Sequence, residues 1–203
     1  MIQPKEKTIA AELGTHVKVL GTFVAIFWIV EILDATIFNH QLDYYGIIPH
    51  SFIGLRGIIF APFLHGGWQH LIANTIPFIV LGWLVMLQAV SDFFIVTAIV
   101  IVVSGIGTWL FGASPGATTV HLGASSLIYG YLGFLLLRGY FERNLASIAL
   151  SIVVFIFYGS VIWGVLPSQA QAGISWQGHL FGLIGGAIAA RYIGKAKREL
   201  RDS

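Results

Sequence analysis

Six apolar stretches, parted by very few charges, limit what this chain can become. They run from Val17 to Phe38, His70 to Val90, Phe93 to Phe111, Ser125 to Leu137, Leu145 to Leu166 and Gly178 to Ile193. The hydrocarbon core of a bilayer takes about 20 mostly apolar residues per helix. Charged residues make up 10% of the chain, against about 25% in a soluble domain, too few to cover a water-facing surface. The reading is therefore an all-α membrane protein, a bundle of six transmembrane helices forming one domain over residues 1–203. The fourth and sixth stretches are short for full crossings. No small-x-small cleavage site closes the first stretch, so it reads as a retained span rather than a signal peptide.

Lys and Arg set the orientation, because cytoplasmic segments hold the excess of positive charge. With both termini cytoplasmic, Lys5, Lys7, Lys18, Arg138, Arg143, Arg191, Lys195, Lys197, Arg198 and Arg201 fall inside and only Arg56 outside. A formal charge of +2 gives no reason to expect nucleic acid as a partner, and the absence of Cys excludes disulfides and thiol catalysis. The segment 39–69 is long for a structureless loop. It contains SFIGLRGIIFAPFLHGGW, apolar but broken by Gly and Pro, and is expected to lie in the outer interface. Gly-rich and polar loops also precede the fourth and sixth helices.

Polar side chains in the membrane are costly, and so each asks for a reason. Here they gather at the outer ends of the second, fourth and sixth helices: His65, His70, Asn74, Ser125, Ser126, Tyr129 and His179. His70 and Asn74 are four apart and share a helical face, as do Ser125 and Tyr129. Gly178, Gly182 and Gly186 form a small-residue stripe, and Ser126, Gly130 and Gly133 form another. Such surfaces let membrane helices approach backbone to backbone. Two of them, one beside Ser125 and one beside His179, would bring a hydroxyl to an imidazole, as a nucleophile–base pair requires. Taken singly, a membrane Ser more often bonds back to its own helix, and a His to a structural partner. His65 and His121 are read as structural, the latter anchoring the outer loop. Glu31 and Asp34 are read as facing water or loop amides. Arg56 is read as a loop or headgroup contact, with Asp43 as its partner.

The elements HGGWQHLIAN, GASSLIYG and GHLFGLIGG, in this order on the second, fourth and sixth helices, together resemble the rhomboid intramembrane serine proteases. The resemblance spans nearly the whole chain. It implies that Ser125 is the nucleophile and His179 its general base, that His70 and Asn74 stabilise the oxyanion, and that Tyr129 packs against the imidazole. Gly123 supports the turn before the serine. At one position the sequence departs: Ser126 stands where the family pattern Gly-x-Ser-Gly has its second glycine. Ser is small enough to keep the stripe.

The expected reaction is hydrolysis of peptide bonds in or near transmembrane segments of other membrane proteins, by a Ser–His dyad lacking an acidic third member. It implies no cofactor and no metal. Its partners would be transmembrane substrates and the lipid bilayer, in a multi-pass protein of the cell membrane whose oligomeric state the sequence does not specify. Alternatives are a catalytically inactive relative that binds membrane clients, which usually lacks the Ser or the His, and a haem-binding bundle using the outer histidines. A zinc intramembrane protease needs His-Glu-x-x-His, yet no His here is followed by Glu. An aspartyl protease needs two membrane aspartates, and Asp34 alone is placed for that.

Overall fold

The computed structural model describes residues 9–113, 119–167 and 175–203. Parts of the two outer loops before the fourth and sixth apolar stretches, and the basic residues Lys5 and Lys7, lie outside the described residues. The first helix, α1 (Ile9–Leu33), continues into a π turn over Asp34–Phe38 and ends at Asn39 and His40, both left-handed. Two 3₁₀ turns (Leu42–Tyr45 and Ile53–Arg56), the short helix α2 (Gly57–Phe60) and a third 3₁₀ turn (Ala61–Phe63) follow. The remaining helices are α3 (Trp68–Met86), α4 (Val90–Phe111), α5 (Ser125–Glu142), α6 (Leu145–Tyr158, extended by a 3₁₀ turn over Gly159–Val165) and α7 (Trp176–Asp202).

By length and composition four of these elements are apolar enough to cross a bilayer: Ile9–Phe38, Trp68–Met86, Val90–Phe111 and Leu145–Val165. Helix α5 is built differently because protein, not lipid, surrounds it, and α7 packs one face against it while Ile184 and Ile188 stay exposed on the other. Helix α5 is buried along nearly its whole length, while α6 buries only Ser147 and Val154 and turns Ile152, Phe155, Ile156 and Phe157 outward. Large apolar side chains facing out and glycines facing in suit a lipid solvent, which supplies no hydrophobic drive between helices. The apolar stretch 178–193 is the middle of a longer helix, since GKAKRELRD carries α7 on as a polar helix with a Lys195–Glu199 pair one turn apart.

The two small-residue stripes meet. A methyl group on Gly182 would collide with the Ser126 carbonyl, one on Gly186 with the Gly130 carbonyl, and one on Gly133 with the Leu183 backbone. With no Cβ at these positions, α5 and α7 lie backbone against backbone. The outer segment is also packed rather than structureless. Added methyls at Gly54 and Gly57 would strike the backbone of Ile48 and of Gly46–Ile47, and Trp109 and His50 tie the segment to α4 through Ser51 O (2.9 Å) and Leu110 O (2.8 Å). Of the two surroundings expected for Glu31 and Asp34, water and loop amides, their 1% exposure leaves the second: Asp34 accepts the Leu42 amide at 2.9 Å and the Gly67 backbone amide faces Glu31. One expectation needs correction. Arg56 does not pair with Asp43; its guanidinium lies 4.1 Å over the Tyr45 ring and donates to Tyr44 O.

At the far end of α5, roughly 20 Å from Ser125 at 1.5 Å per residue, the helices are tied by charge. Arg138, with a fully buried side chain, reaches Glu142 at 2.9 Å and Asp92 at 3.2 Å; Lys197 joins both carboxylates from α7. Ser147 donates to Glu142, and Asn144 caps α6 by accepting the Ser147 N–H. One buried guanidinium thus holds α4 against α5, and one lysine adds α7. Removing one partner of a buried pair strands the other and costs about 3–5 kcal/mol. Arg138→Gln is accordingly expected to lower stability by about that amount, seen as unfolding at a lower SDS mole fraction; an unchanged midpoint would show that the cluster contributes nothing.

Candidate active site

Ser125 is the first residue of α5, and the turn before it is fixed from three sides. His121 exchanges both backbone hydrogen bonds with Ile47, at 2.8 and 2.9 Å. Gly123 N–H donates to Ala61 O at 2.8 Å, and Gly123 adopts φ +116°, which only glycine takes without strain. A side chain there is excluded twice over, because a Cβ would lie 2.6 Å from the His70 ring. The helix then starts: Leu127 and Ile128 N–H both bond to Ala124 O. The Ser125 N–H precedes these bonds and has no partner within the helix.

His179 lies in the first turn of α7, whose N-cap is Ser175 accepting the Gly178 N–H at 3.1 Å. Its Nδ1 is 3.0 Å from the carbonyl oxygen of Gly164. A carbonyl only accepts, so Nδ1 carries the proton and Nε2 keeps its lone pair. Tyr129 stacks on the imidazole with centroids 4.0 Å apart and planes 11° from parallel, and its hydroxyl donates to Val161 O at 2.9 Å. Gly164 makes this arrangement fit, since a methyl there would collide with the Tyr129 hydroxyl. Among the described residues no carboxylate bonds to His179.

His70 Nδ1 accepts the Gly66 N–H across 3.4 Å, which leaves Nε2 as the N–H donor of a neutral ring. That nitrogen is the edge pressed against Gly123. Asn74 donates one amide hydrogen to His70 O at 3.0 Å and retains a second. Behind them, His65 is 1% exposed and packs between Phe27 and His70, tilted against the first and edge-on to the second, with centroids 5.4 Å from each. Burial, and then the neighbouring His70, push its pKa down to about 3, so it stays uncharged. His121 is likewise held neutral by burial, which lowers its pKa. It bonds Gly112 O at 2.8 Å and Ser175 Oγ at 2.7 Å, linking the loop before α5 to the cap of α7.

Ser125, His179, His70, Asn74 and Tyr129 line one cavity of about 240 Å³, walled by α3 on one side and by Tyr158 and Val161 of the α6 end on the other. Ser126 does not line it. Its carbonyl is packed against Gly182, and the residue borders a smaller gap of about 20 Å³ that Ser125 also lines. Ser125 Oγ makes no hydrogen bond among the described residues; catalytic bonds of this kind often close only when substrate is present. The cavity thus holds a hydroxyl, an imidazole with a free lone pair, and three N–H donors without acceptors (Ser125 N, His70 Nε2, one hydrogen of Asn74). That set can take a proton from an attacking oxygen and stabilise a new oxyanion. Sequence reasoning singled out neither Gly164 nor Ala61, for no local signal marks a carbonyl contributed from elsewhere in the chain. Ser175 went unnoticed too, although a Ser just ahead of an apolar helical run is a signal for a helix cap. One group among the described residues brings three ligand atoms of metal-binding type within 4.8 Å of one another: Asp34, His40 and Asp43, on the outer segment and apart from the cavity.

Comparison with known proteins agrees with the family resemblance. The Rhomboid domain matches residues 54–196. Uncharacterised proteins of Mycobacterium tuberculosis and Mycobacterium bovis are each 45% identical over 183 residues, covering 89% of this chain and 76% of theirs. A Bacillus subtilis protein provisionally named a rhomboid protease, YdcA, is 29% identical over 139 residues, covering 68% of this chain and 66% of its own. An all-helical membrane bundle whose three polar motifs fall on α3, α5 and α7, and whose domain match runs from the outer segment into α7, belongs to the rhomboid family.

Proposed function

We propose that this chain is an intramembrane serine endopeptidase in which Ser125 is the nucleophile and His179 the general base. The observation that carries the reading is the state of His179. Its Nδ1–H is spent on Gly164 O and its face is held by Tyr129, so the ring presents a basic Nε2 to the cavity that Ser125 shares. Nε2 takes the Ser125 proton as Oγ attacks the peptide carbonyl, and returns it to the leaving amine. Water, activated by the same nitrogen, then releases the acyl group. The tetrahedral oxyanion is met by Ser125 N–H, His70 Nε2–H and Asn74. A backbone carbonyl and an aromatic face do the orienting that a carboxylate does in soluble serine proteases, and they add no buried anion.

The substrates are transmembrane segments of other membrane proteins. The cavity's walls, α3 and the sparsely packed α6, admit such a segment from the lipid, and its helix must unwind locally for a carbonyl to reach Ser125. Six crossings fit the bundle, because α5 and α7, at 18 and 27 residues, are long enough at 1.5 Å per residue to span about 27 Å or more. Shielding by their neighbours offsets their lower hydropathy. With both termini cytoplasmic, the cavity opens outward at the cell membrane. Phe52, Ile59 and Phe60 are exposed on the outer segment and lie in the interface.

Three outcomes are expected. Ser125→Ala abolishes cleavage of a membrane substrate and labelling by an activated phosphonate, whereas Ser126→Gly keeps both; the opposite pattern would transfer the nucleophile to Ser126. Asn74→Ala lowers turnover by about 10²–10³-fold with the thermal midpoint little changed, and normal specific activity in a destabilised protein would make its role structural. Cysteines placed at Gln3 and Ser203, in a chain with no native Cys, stay shielded from impermeant thiol reagents in intact cells. Labelling of either would reverse the topology.

A further inference from the structure

The outer end of α1 concentrates carboxylates that, among the described residues, have no Lys or Arg against them. Glu31 and Asp34, three residues apart, share a helical face, and both are 1% exposed. The π turn that follows and two successive left-handed residues, Asn39 (φ 49°) and His40 (φ 61°), reverse the chain within a few residues. The reversal brings Asp43, on the next 3₁₀ turn, back to the helix end. One ligand atom from each of Asp34, His40 and Asp43 then falls within 4.8 Å of the others. Asp34 Oδ1 is engaged by the Leu42 N–H, leaving the other oxygen. Asp43 Oδ1 is buried without a hydrogen-bond partner, and the Glu31 carboxylate is buried with no closer donor than the Gly67 backbone amide, which does not make a well-formed bond to it. The charged groups around the Glu31 carboxylate are Asp43, Asp34 and His40.

Among the described residues no Lys or Arg forms an ion pair with any of these carboxylates. The neighbouring cation, Arg56, is directed elsewhere, over Tyr45 and onto Tyr44 O. Buried carboxylates without a counter-charge are costly, and a bound cation relieves that cost. We infer that Asp34, His40 and Asp43 form a site for one divalent transition-metal cation of the Zn²⁺ type, with Glu31 as an outer carboxylate adding charge. One imidazole nitrogen with carboxylate oxygens suits such ions. Ca²⁺ takes a shell of 6–8 oxygen ligands, in which the His40 imidazole has no place. Three protein ligands leave the remaining position to water, and the exposed His40 gives the ion a path in from solvent. The metal fastens the end of α1 to the outer segment, and its presence does not depend on the proteolytic reading.

The test uses the whole protein in detergent, with any polyhistidine tag removed and metal stripped by a chelator. ZnCl₂, MnCl₂ and CaCl₂ are titrated separately by calorimetry, with bound metal counted by mass spectrometry and thermal midpoints recorded. One equivalent of Zn²⁺ that raises the midpoint is expected. His40→Asn tolerates the left-handed backbone and touches no core; Asp43→Asn keeps the side chain's shape. Each is expected to lose the bound equivalent and the stabilisation while the metal-free midpoint stays near that of the wild type. Glu31→Gln weakens binding about 10- to 100-fold, as outer ligands do. Absence of Zn²⁺ binding overturns the proposal, as does binding that persists in His40→Asn, which would place the metal on other histidines. Preference for Ca²⁺ unaffected by His40→Asn overturns it as well.

Discussion

The contact between α5 and α7 is the constraint on which the rest of the structure depends. In lipid, two helices gain nothing by hiding apolar side chains from one another, so association relies on close packing and on polar contacts. Glycine supplies the closeness: Gly182 beneath the Ser126 carbonyl, Gly186 beneath that of Gly130, Gly133 against Leu183. A single methyl at any of these points would force the helices apart. Because this contact begins at Ser126, next to Ser125, and at Gly182, about one turn beyond His179, it sets both residues around one cavity. The geometry of the candidate site and the packing of the helices are here one structural requirement.

The polar groups around that cavity are held by backbone rather than by charge. His179 is oriented by the Gly164 carbonyl and the Tyr129 face, Gly123 by the Ala61 carbonyl, His70 by the Gly66 amide. In a low-dielectric setting a neutral partner avoids the desolvation cost that an extra carboxylate would carry. The same economy explains why His65, buried against Phe27 and His70, remains neutral. Charge is admitted at the other end of α5, where Arg138 stands among Asp92, Glu142 and Lys197 and every member has a partner. The carboxylates at the end of α1 are the exception, and they are what sets that end apart from the rest of the protein.

Hydropathy made the membrane legible, but it treated every helix alike. It marks α1, α3, α4 and α6 by length and apolarity because those helices turn large side chains to lipid. It undervalues α5 and α7, whose central places are paid for in glycine. Its limits show in α7 too, which continues past Ile193 because an amphipathic polar helix carries no hydropathic signal. Hydropathy also left open whether Glu31 meets water or loop amides, for a related reason. A carboxylate near a helix end is usually solvated, and only the folded-back outer segment buries this one.

The sequence by itself determined the solvent, the bundle class and the identity of the polar residues out of place in it. The first two follow from composition over long windows, and the last from the cost of polarity in lipid. It also separated Ser125 from Ser126, since neighbours on a helix point about 100° apart. Tertiary structure alone decided which of the two faces the cavity, because that depends on which side of α5 receives α7. It alone decided the protonation pattern of His179, through a carbonyl fifteen residues away at Gly164, and the pairing of Arg138 with Asp92 across 46 positions of chain. Such contacts join groups that are distant in sequence, and no local pattern of residues encodes the distance between them once the helices have packed.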